Sequence, residues 1–300
     1  MTPSVKVMLG FGGNVLGFSM VDFLAKNMDR IGIGSRSGAR LLGYYQSALL
    51  VYDNTLDLTF PLHNVAVASL SKLQSDVTSL RTLWAKALST LAFYGMPAFG
   101  ILSVTGQDTI VLLLGEKWSS ASLLLSVLAL RGPAHLVERT LGWLHVTAGR
   151  PDRWMRWGIF ATCIQAIALF SGLPFGPIGV VLAYVLSTYL LFVPALAYAG
   201  RPIGIGAADV ISAVGRPLIG TLLAAGVGFI LRETILNKSD LVLNVFLLSA
   251  AYVSIYVILV AGILKVRSPI RVLHTLVSDV LLASKLSLLR AIYLCPSKRV

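Results

Sequence analysis

Polar side chains set inside apolar stretches are where this sequence holds its chemistry. Gln46, Asp53, Asp57 and Asn64 are spaced by seven, four and seven residues. At about 100° per residue they fall within roughly 40° of one another on an α-helix. Asp22, Lys26, Asp29 and Arg30 share one arc of about 100° by the same arithmetic. A third group, Arg131, His135, Glu138, Gly142 and His145, spans roughly 80° of a helical face, with Arg139 beside it. Ionisable side chains at membrane depth are costly, so they face a bundle interior or a wet cavity and are functional candidates by default. Arginine there suits an anion such as a diphosphate, because its planar fork engages two oxygens at once. The carboxylates Asp53 and Asp57 could instead take Na⁺ or exchange a proton. Internal ion pairing is the alternative: Arg131 or Arg139 against Asp53, Asp57 or Glu138, and Asp22 against Lys26 at i, i+4.

The elements that must position these groups follow from composition. Hydrophobic residues make up 56% of the 300 and charged residues 13%, about half the charge of a soluble chain. Mean hydropathy is +0.81. The fold expected is all-α, a polytopic membrane bundle of about eight transmembrane helices. At about 20 apolar residues per crossing, the spans run near 7–28, 43–67, 83–105, 120–146, 157–173, 177–199, 214–232 and 241–264. The first two form a hairpin joined through Asp29 to Arg36. Pro133 predicts a kink in the fourth, and the prolines and glycines from Gly172 to Pro177 predict a turn. A membrane β-barrel would show short alternating segments, and none are present.

The net charge of +12 reads as topology rather than nucleic-acid binding. With the N-terminus inside, the loops carrying Lys72, Arg81 and Lys86, and Arg150, Arg153 and Arg156, fall on the cytoplasmic side, as does the basic tail. Both termini are then cytoplasmic. Ser268 to Leu294 has apolar residues at helical spacing among Arg271, Lys285 and Arg290, which predicts an amphipathic helix lying in the cytoplasmic interface, the alternative being a short ninth hydrophobic segment packed on the bundle. The start carries no cleavage signal, so the first span is expected to be retained. Cys163 and Cys295 fit neither a disulfide framework nor a metal site. No phosphate-binding loop, catalytic triad order or zinc motif occurs, so no cofactor, metal or enzymatic activity is expected. The five tryptophans, Trp84, Trp118, Trp143, Trp154 and Trp157, lie mostly near span ends and are expected to anchor at the interfaces.

The run Phe23-Leu24-Ala25-Lys26-Asn27-Met28-Asp29-Arg30-Ile31-Gly32-Ile33-Gly34, then Leu42-Gly43-Tyr44-Tyr45, resembles the Wzx-type polysaccharide flippases. These belong to the multidrug/oligosaccharidyl-lipid/polysaccharide exporter superfamily. Pro61-Leu62-His63-Asn64, Ser69 to Asp76, Leu113 to Trp118, Thr147 to Asp152, Arg156-Trp157-Gly158 and Gly176-Pro177-Ile178-Gly179 continue the resemblance in order, over about residues 10–200. Residues beyond 200 match in hydropathy alone.

The resemblance implies a flippase of the bacterial inner membrane that moves undecaprenyl-diphosphate-linked oligosaccharide by alternating access. It implies one six-helix lobe over 1–200, the second of two in the family, two additional helices over 201–265, and a basic tail over 266–300. A first lobe would come from a missing N-terminal portion or a second copy, and polysaccharide polymerase or export machinery would be a further partner. A cation-rich cavity between lobes maps onto Lys26, Arg30, Arg131, His135 and Arg139. Asp22, Asp53, Asp57 and Glu138 are assigned from helical phase to a coupling ion or to internal pairs. Two other readings are an ion-coupled drug or metabolite antiporter of the same superfamily, and a non-transporting scaffold for polysaccharide synthesis.

Overall fold

The computed structural model describes residues 3–71, 76–147, 151–236 and 241–264. All of their regular structure is helical: α1 Pro3–Asp57, α2 Phe60–Ser71, α3 Val77–Leu114, α4 Ser122–Ala129, α5 Gly132–Thr147, α6 Pro151–Gly172, α7 Gly176–Gly200, α8 Ala207–Leu231 and α9 Leu241–Val257. The tail expected as an interfacial helix lies outside the described residues, as do the side chains of Asp22, Lys26 and His63.

The hairpin is present, but its turn is not where the sequence pointed. Residues 29–36 stay helical, and α1 breaks at Gly38, at φ 83° and ψ 169°. Positive φ is tolerated there because glycine has no Cβ. The two arms fold back on each other. Tyr45 donates its hydroxyl hydrogen to Asp29 Oδ2 at 2.7 Å, whereas sixteen residues of straight helix would hold them about 24 Å apart. A second break falls at Leu58 and Thr59, just before Pro61, so the expected span 43–67 is divided between α1 and α2. The Thr59 hydroxyl donates to the Leu56 carbonyl at 2.7 Å and satisfies part of that broken end.

Among the described residues, four helical stretches have the length and hydropathy to cross a membrane, or five if a bent pair is one span. One of them, Asp152–Ile203, runs for 52 residues. At about 1.5 Å per residue it far exceeds a hydrocarbon core of about 30 Å, and it folds into the α6–α7 hairpin at the turn expected over Gly172 to Pro177. A Cβ on Gly172 would lie 2.5 Å from the Gly179 carbonyl oxygen, so these glycines let the two backbones touch. The bent pair is α4 with its preceding turn, followed by α5, at 54°, where the sequence predicted a kink. Asp152–Ile203 counts once although it holds two helices, α6 and α7, and α1 with its charged residues falls outside the count by composition.

Two apolar cores hold the bundle. The larger joins α1 through α8 around residues such as Tyr45, Tyr52, Trp84, Phe99, Leu125 and Val180. The smaller packs Phe93, Ala224, Tyr252, Tyr256 and Val260 between α3, α8 and α9. Trp84 and Trp143 belong to the interior, which corrects their assignment to the interfacial belt; Trp154 does remain exposed. The Trp84 indole donates to the Thr140 carbonyl at 3.4 Å, which gives its single polar atom a partner.

Helices α3 and α8 run parallel, pinned at both ends. At one end Arg81 reaches Asp209 Oδ1 through Nη2 at 2.6 Å and Nε at 3.1 Å. At the other, Arg232 donates to the Val104 carbonyl at 2.7 Å and Gln107 Oε1 at 2.9 Å, and lies 3.3 Å from Asp108 Oδ2. Midway, Tyr252 of α9 donates to the Thr221 carbonyl at 3.2 Å, and Tyr256 to the Phe93 carbonyl at 2.8 Å.

Candidate functional site

Three elements bring the polar groups together: the two arms of α1, the start of α5 and the middle of α7. Arg131, His135 and Arg139 recur every four residues, so they form a stripe along α5. Arg131 stands at the break between α4 and α5. Its Nε donates to Thr188 Oγ1 at 2.8 Å, and its guanidinium carbon lies 5.6 Å from the Tyr184 ring centroid. Thr188 donates in turn to the Tyr184 carbonyl at 2.9 Å. One turn of α7 therefore holds the arginine by a hydrogen bond and a cation–π contact, and among the described residues no carboxylate forms an ion pair with it. Tyr189 donates to the Leu130 carbonyl at 2.8 Å, satisfying an acceptor that the helix break exposes.

His135 comes next. Its Nδ1 shares a hydrogen bond with the Tyr52 hydroxyl at 2.8 Å, and the two rings stack with centroids 6.0 Å apart. Arg139, another turn along, approaches Asp57 at 3.8 Å. That is an ion pair by distance but too long for a hydrogen bond. Its Nη1 is buried and has no hydrogen-bond partner, a donor left unfilled.

Of the carboxylates, Asp53 and Asp57 are exposed, as are Gln46 and Asn64 of the same stripe. The stripe therefore faces away from the packed interior, and Asn64 sits on α2 beyond the break. Asp53 forms no ion pair with another described residue, though Arg30 and Arg131 both lie within its electrostatic reach. Glu138 is close enough to feel Arg131. Arg30 is exposed, and its Nη1 donates to Asn27 Oδ1 at 2.9 Å. By direct contact the structure joins Arg139 to Asp57 and His135 to Tyr52, while Arg30, Asp53, Arg131 and Glu138 are linked by electrostatic reach. For Asp22 and Lys26 it gives the helix alone.

Sequence reasoning missed the supports. Asp29 is buried and takes the Tyr45 hydroxyl together with the Arg30 backbone N–H at 2.8 Å. Its place beside Arg30 had put it on the right arc without showing that it works inward. Tyr184 and Thr188 stand at i, i+4 in an otherwise apolar span, and that spacing was the available signal. Among the described residues no cluster of three metal-ligating side chains forms.

Comparison with known proteins agrees with this architecture. A family model described as "Polysaccharide biosynthesis protein" matches residues 2–123. The lipopolysaccharide biosynthesis protein WzxC of Escherichia coli K12 is 28% identical over 185 residues, covering 61% of this chain and 38% of that protein. The teichuronic acid biosynthesis protein TuaB of Bacillus subtilis 168 is 28% identical over 174 residues, covering 57% and 36%. The chain therefore spans well under half the length of these relatives. The inward-closed structure of the lipid II flippase MurJ shares the fold at a TM-score of 0.64 and 16% identity, covering 84% of this chain and 55% of that one. The resemblance read from the sequence is borne out: over much of its length this helical membrane chain is similar to polysaccharide biosynthesis proteins, and it shares the fold of a lipid II flippase.

Proposed function

We propose that this chain forms one wall of a path through which a lipid-diphosphate-linked oligosaccharide is turned over across the bacterial inner membrane. The observation that carries the reading is the stripe Arg131, His135 and Arg139 on α5, with a buried Arg139 donor left unfilled and Arg131 held by neutral groups. Two guanidinium groups about 12 Å apart along a helix suit an elongated anion. Diphosphate oxygens would fill donors the protein leaves open, while the exposed carboxylates Asp53 and Asp57 balance the charge once substrate departs. The names of WzxC, TuaB and MurJ support a polysaccharide or lipid-linked cargo, which here would be undecaprenyl-diphosphate oligosaccharide. In this reading residues 1–200 form a six-helix lobe, residues 201–265 add a helix pair, and both termini are cytoplasmic. A facing lobe, in the same polypeptide, a second copy or a separate chain, supplies the other wall.

The test is complementation in a strain lacking the protein, following lipid-linked glycan on the outer leaflet together with protein abundance. Arg131→Glu should abolish outward appearance of the glycan, with the precursor accumulating on the cytoplasmic leaflet. Intact export with normal abundance of the variant would overturn the reading.

A further inference from the structure

At the end where α3 and α8 both begin, an open surface cavity of about 480 Å³ lies between them. Arg81, Thr82, Lys86 and Ser89 line it from α3, and Asp209 and Ser212 from α8. The acidic member is already engaged. Oδ1 of Asp209 receives Arg81, and Oδ2 accepts the Gly206 backbone N–H at 2.8 Å. Arg81 is thereby fixed in position, half-exposed at the cavity edge. Lys86 is exposed and forms no ion pair with another described residue. The cavity therefore presents one cation outside any ion pair among the described residues, and three hydroxyl-bearing side chains. Of these, Thr82 donates to the Thr78 carbonyl at 3.0 Å and Ser212 to the Asp209 carbonyl at 2.8 Å, leaving their oxygens as acceptors.

Its place narrows the ligand. Both bounding helices are long and apolar enough to cross a membrane, and the cavity lies toward their N-terminal ends. Helix α3, at about 57 Å, outruns a hydrocarbon core of about 30 Å, so such an end can reach the headgroups. Val77 and Ile211, beside it, expose apolar side chains. A phospholipid can set its phosphate between the helix ends while its chains follow the apolar flanks. Basic pockets between membrane helices at the cytoplasmic face recognise anionic headgroups in this way.

We propose that this cavity is a binding site for the headgroup of an anionic phospholipid, with Lys86 supplying the charge, Ser89 a hydroxyl, and the Thr82 and Ser212 oxygens acceptors for headgroup hydroxyl groups. Arg81 positions the site through Asp209. None of these residues takes part in the transport path proposed above, so the two readings stand or fall separately.

The experiment is native mass spectrometry of the full chain in neutral detergent, titrated separately with phosphatidylglycerol, phosphatidylcholine and inorganic phosphate. Phosphatidylglycerol should saturate one site, and Lys86→Gln should weaken it about fivefold, the share of one basic residue near an anionic lipid. Lys86→Arg should restore binding, and Lys117→Gln, an exposed lysine between α3 and α4, should leave it unchanged. Equal binding of phosphatidylglycerol by the Lys86→Gln protein, or equal occupancy by phosphatidylcholine, would overturn the proposal. So would inorganic phosphate filling the site as readily as the lipid.

Discussion

The Tyr52 hydroxyl and Nδ1 of His135 meet at 2.8 Å across the seam between α1 and α5, with their rings stacked at an interplanar angle of 9°. This contact ties the acidic arm of α1 to the basic stripe of α5. Tyr52→Phe keeps the ring and removes the bond. The purified protein should lose about 1 kcal/mol, the scale of interhelical hydrogen bonds in membrane bundles. That corresponds to a melting point lower by about 2 °C. An unchanged melting point would show that the bond carries no net stability.

Arg131 separates charge from geometry. Arg131→Lys keeps the positive charge but loses the planar fork that reaches Thr188 while lying over Tyr184. Glycan export should fall to an intermediate level, below the unaltered protein and above Arg131→Glu. If lysine supports full export, point charge alone suffices and the held geometry has no role.

The two arginine–carboxylate clamps between α3 and α8 should differ in strength. Side-chain exposure is 48% for Arg81 and 19% for Asp209, against 23% for Arg232 and 16% for Asp108. Arg232→Ala strips partners from the Val104 carbonyl, Gln107 and Asp108 together, at a cost of roughly 2 kcal/mol. Arg81→Ala should cost under about 1 kcal/mol, as solvent-screened pairs do. Thermal unfolding in detergent gives the order, and the reverse order would contradict this account of the clamps.

A methyl group at Gly132 would overlap the Phe99 ring, whereas one at Gly226 meets nothing within 4 Å. Gly132→Ala should therefore cost about 1–3 kcal/mol by overpacking, while Gly226→Ala should be neutral or stabilise by up to about 1 kcal/mol. The same melting measurement reads both.

Asp76 caps α3 by accepting the Thr78 and Ser79 backbone N–H groups at 3.1 Å each. Hydrogen bonds from Ser79 hold its carboxyl below the usual carboxylate range. A depressed value means the cap stabilises above the unfolded pKa of about 3.9 and is lost as pH falls through the folded value. Amide exchange at Thr78 and Ser79, corrected for intrinsic rate, should lose protection in acid. Asp76→Asn, which still accepts as a cap, should show no such loss; equal acid sensitivity in both proteins would exclude Asp76 as the source.

Composition made the helical membrane class legible, and proline and glycine made the breaks legible. Gly172 to Pro177 turns and the segment after Ala129 bends, because missing N–H groups and missing Cβ atoms act locally. What acts at a distance was not legible. The turn of α1 falls at Gly38 because Asp29 and Tyr45 bond across it, and no local residue pattern reports that pairing. Helical phase could set Arg131, His135 and Arg139 in one row, since α5 and the residue just before it carry all three. It could not show that Thr188 and Tyr184, some fifty residues on, hold the first of them. Trp84 read as an anchor because sequence position shows nearness to a span end but not which face the neighbouring helices cover.

Pinned at both ends and bonded through α9 in the middle, α3 and α8 resist sliding and splaying, so the α8–α9 pair should travel with α3 as one unit. Any rocking of this bundle would then fall on the joints where helices break, at Gly38, which the Tyr45–Asp29 bond spans, and at the bend before Gly132, which Tyr189 steadies at the Leu130 carbonyl. Arg131 adjoins that second joint, so a change of angle there would alter where its charge points.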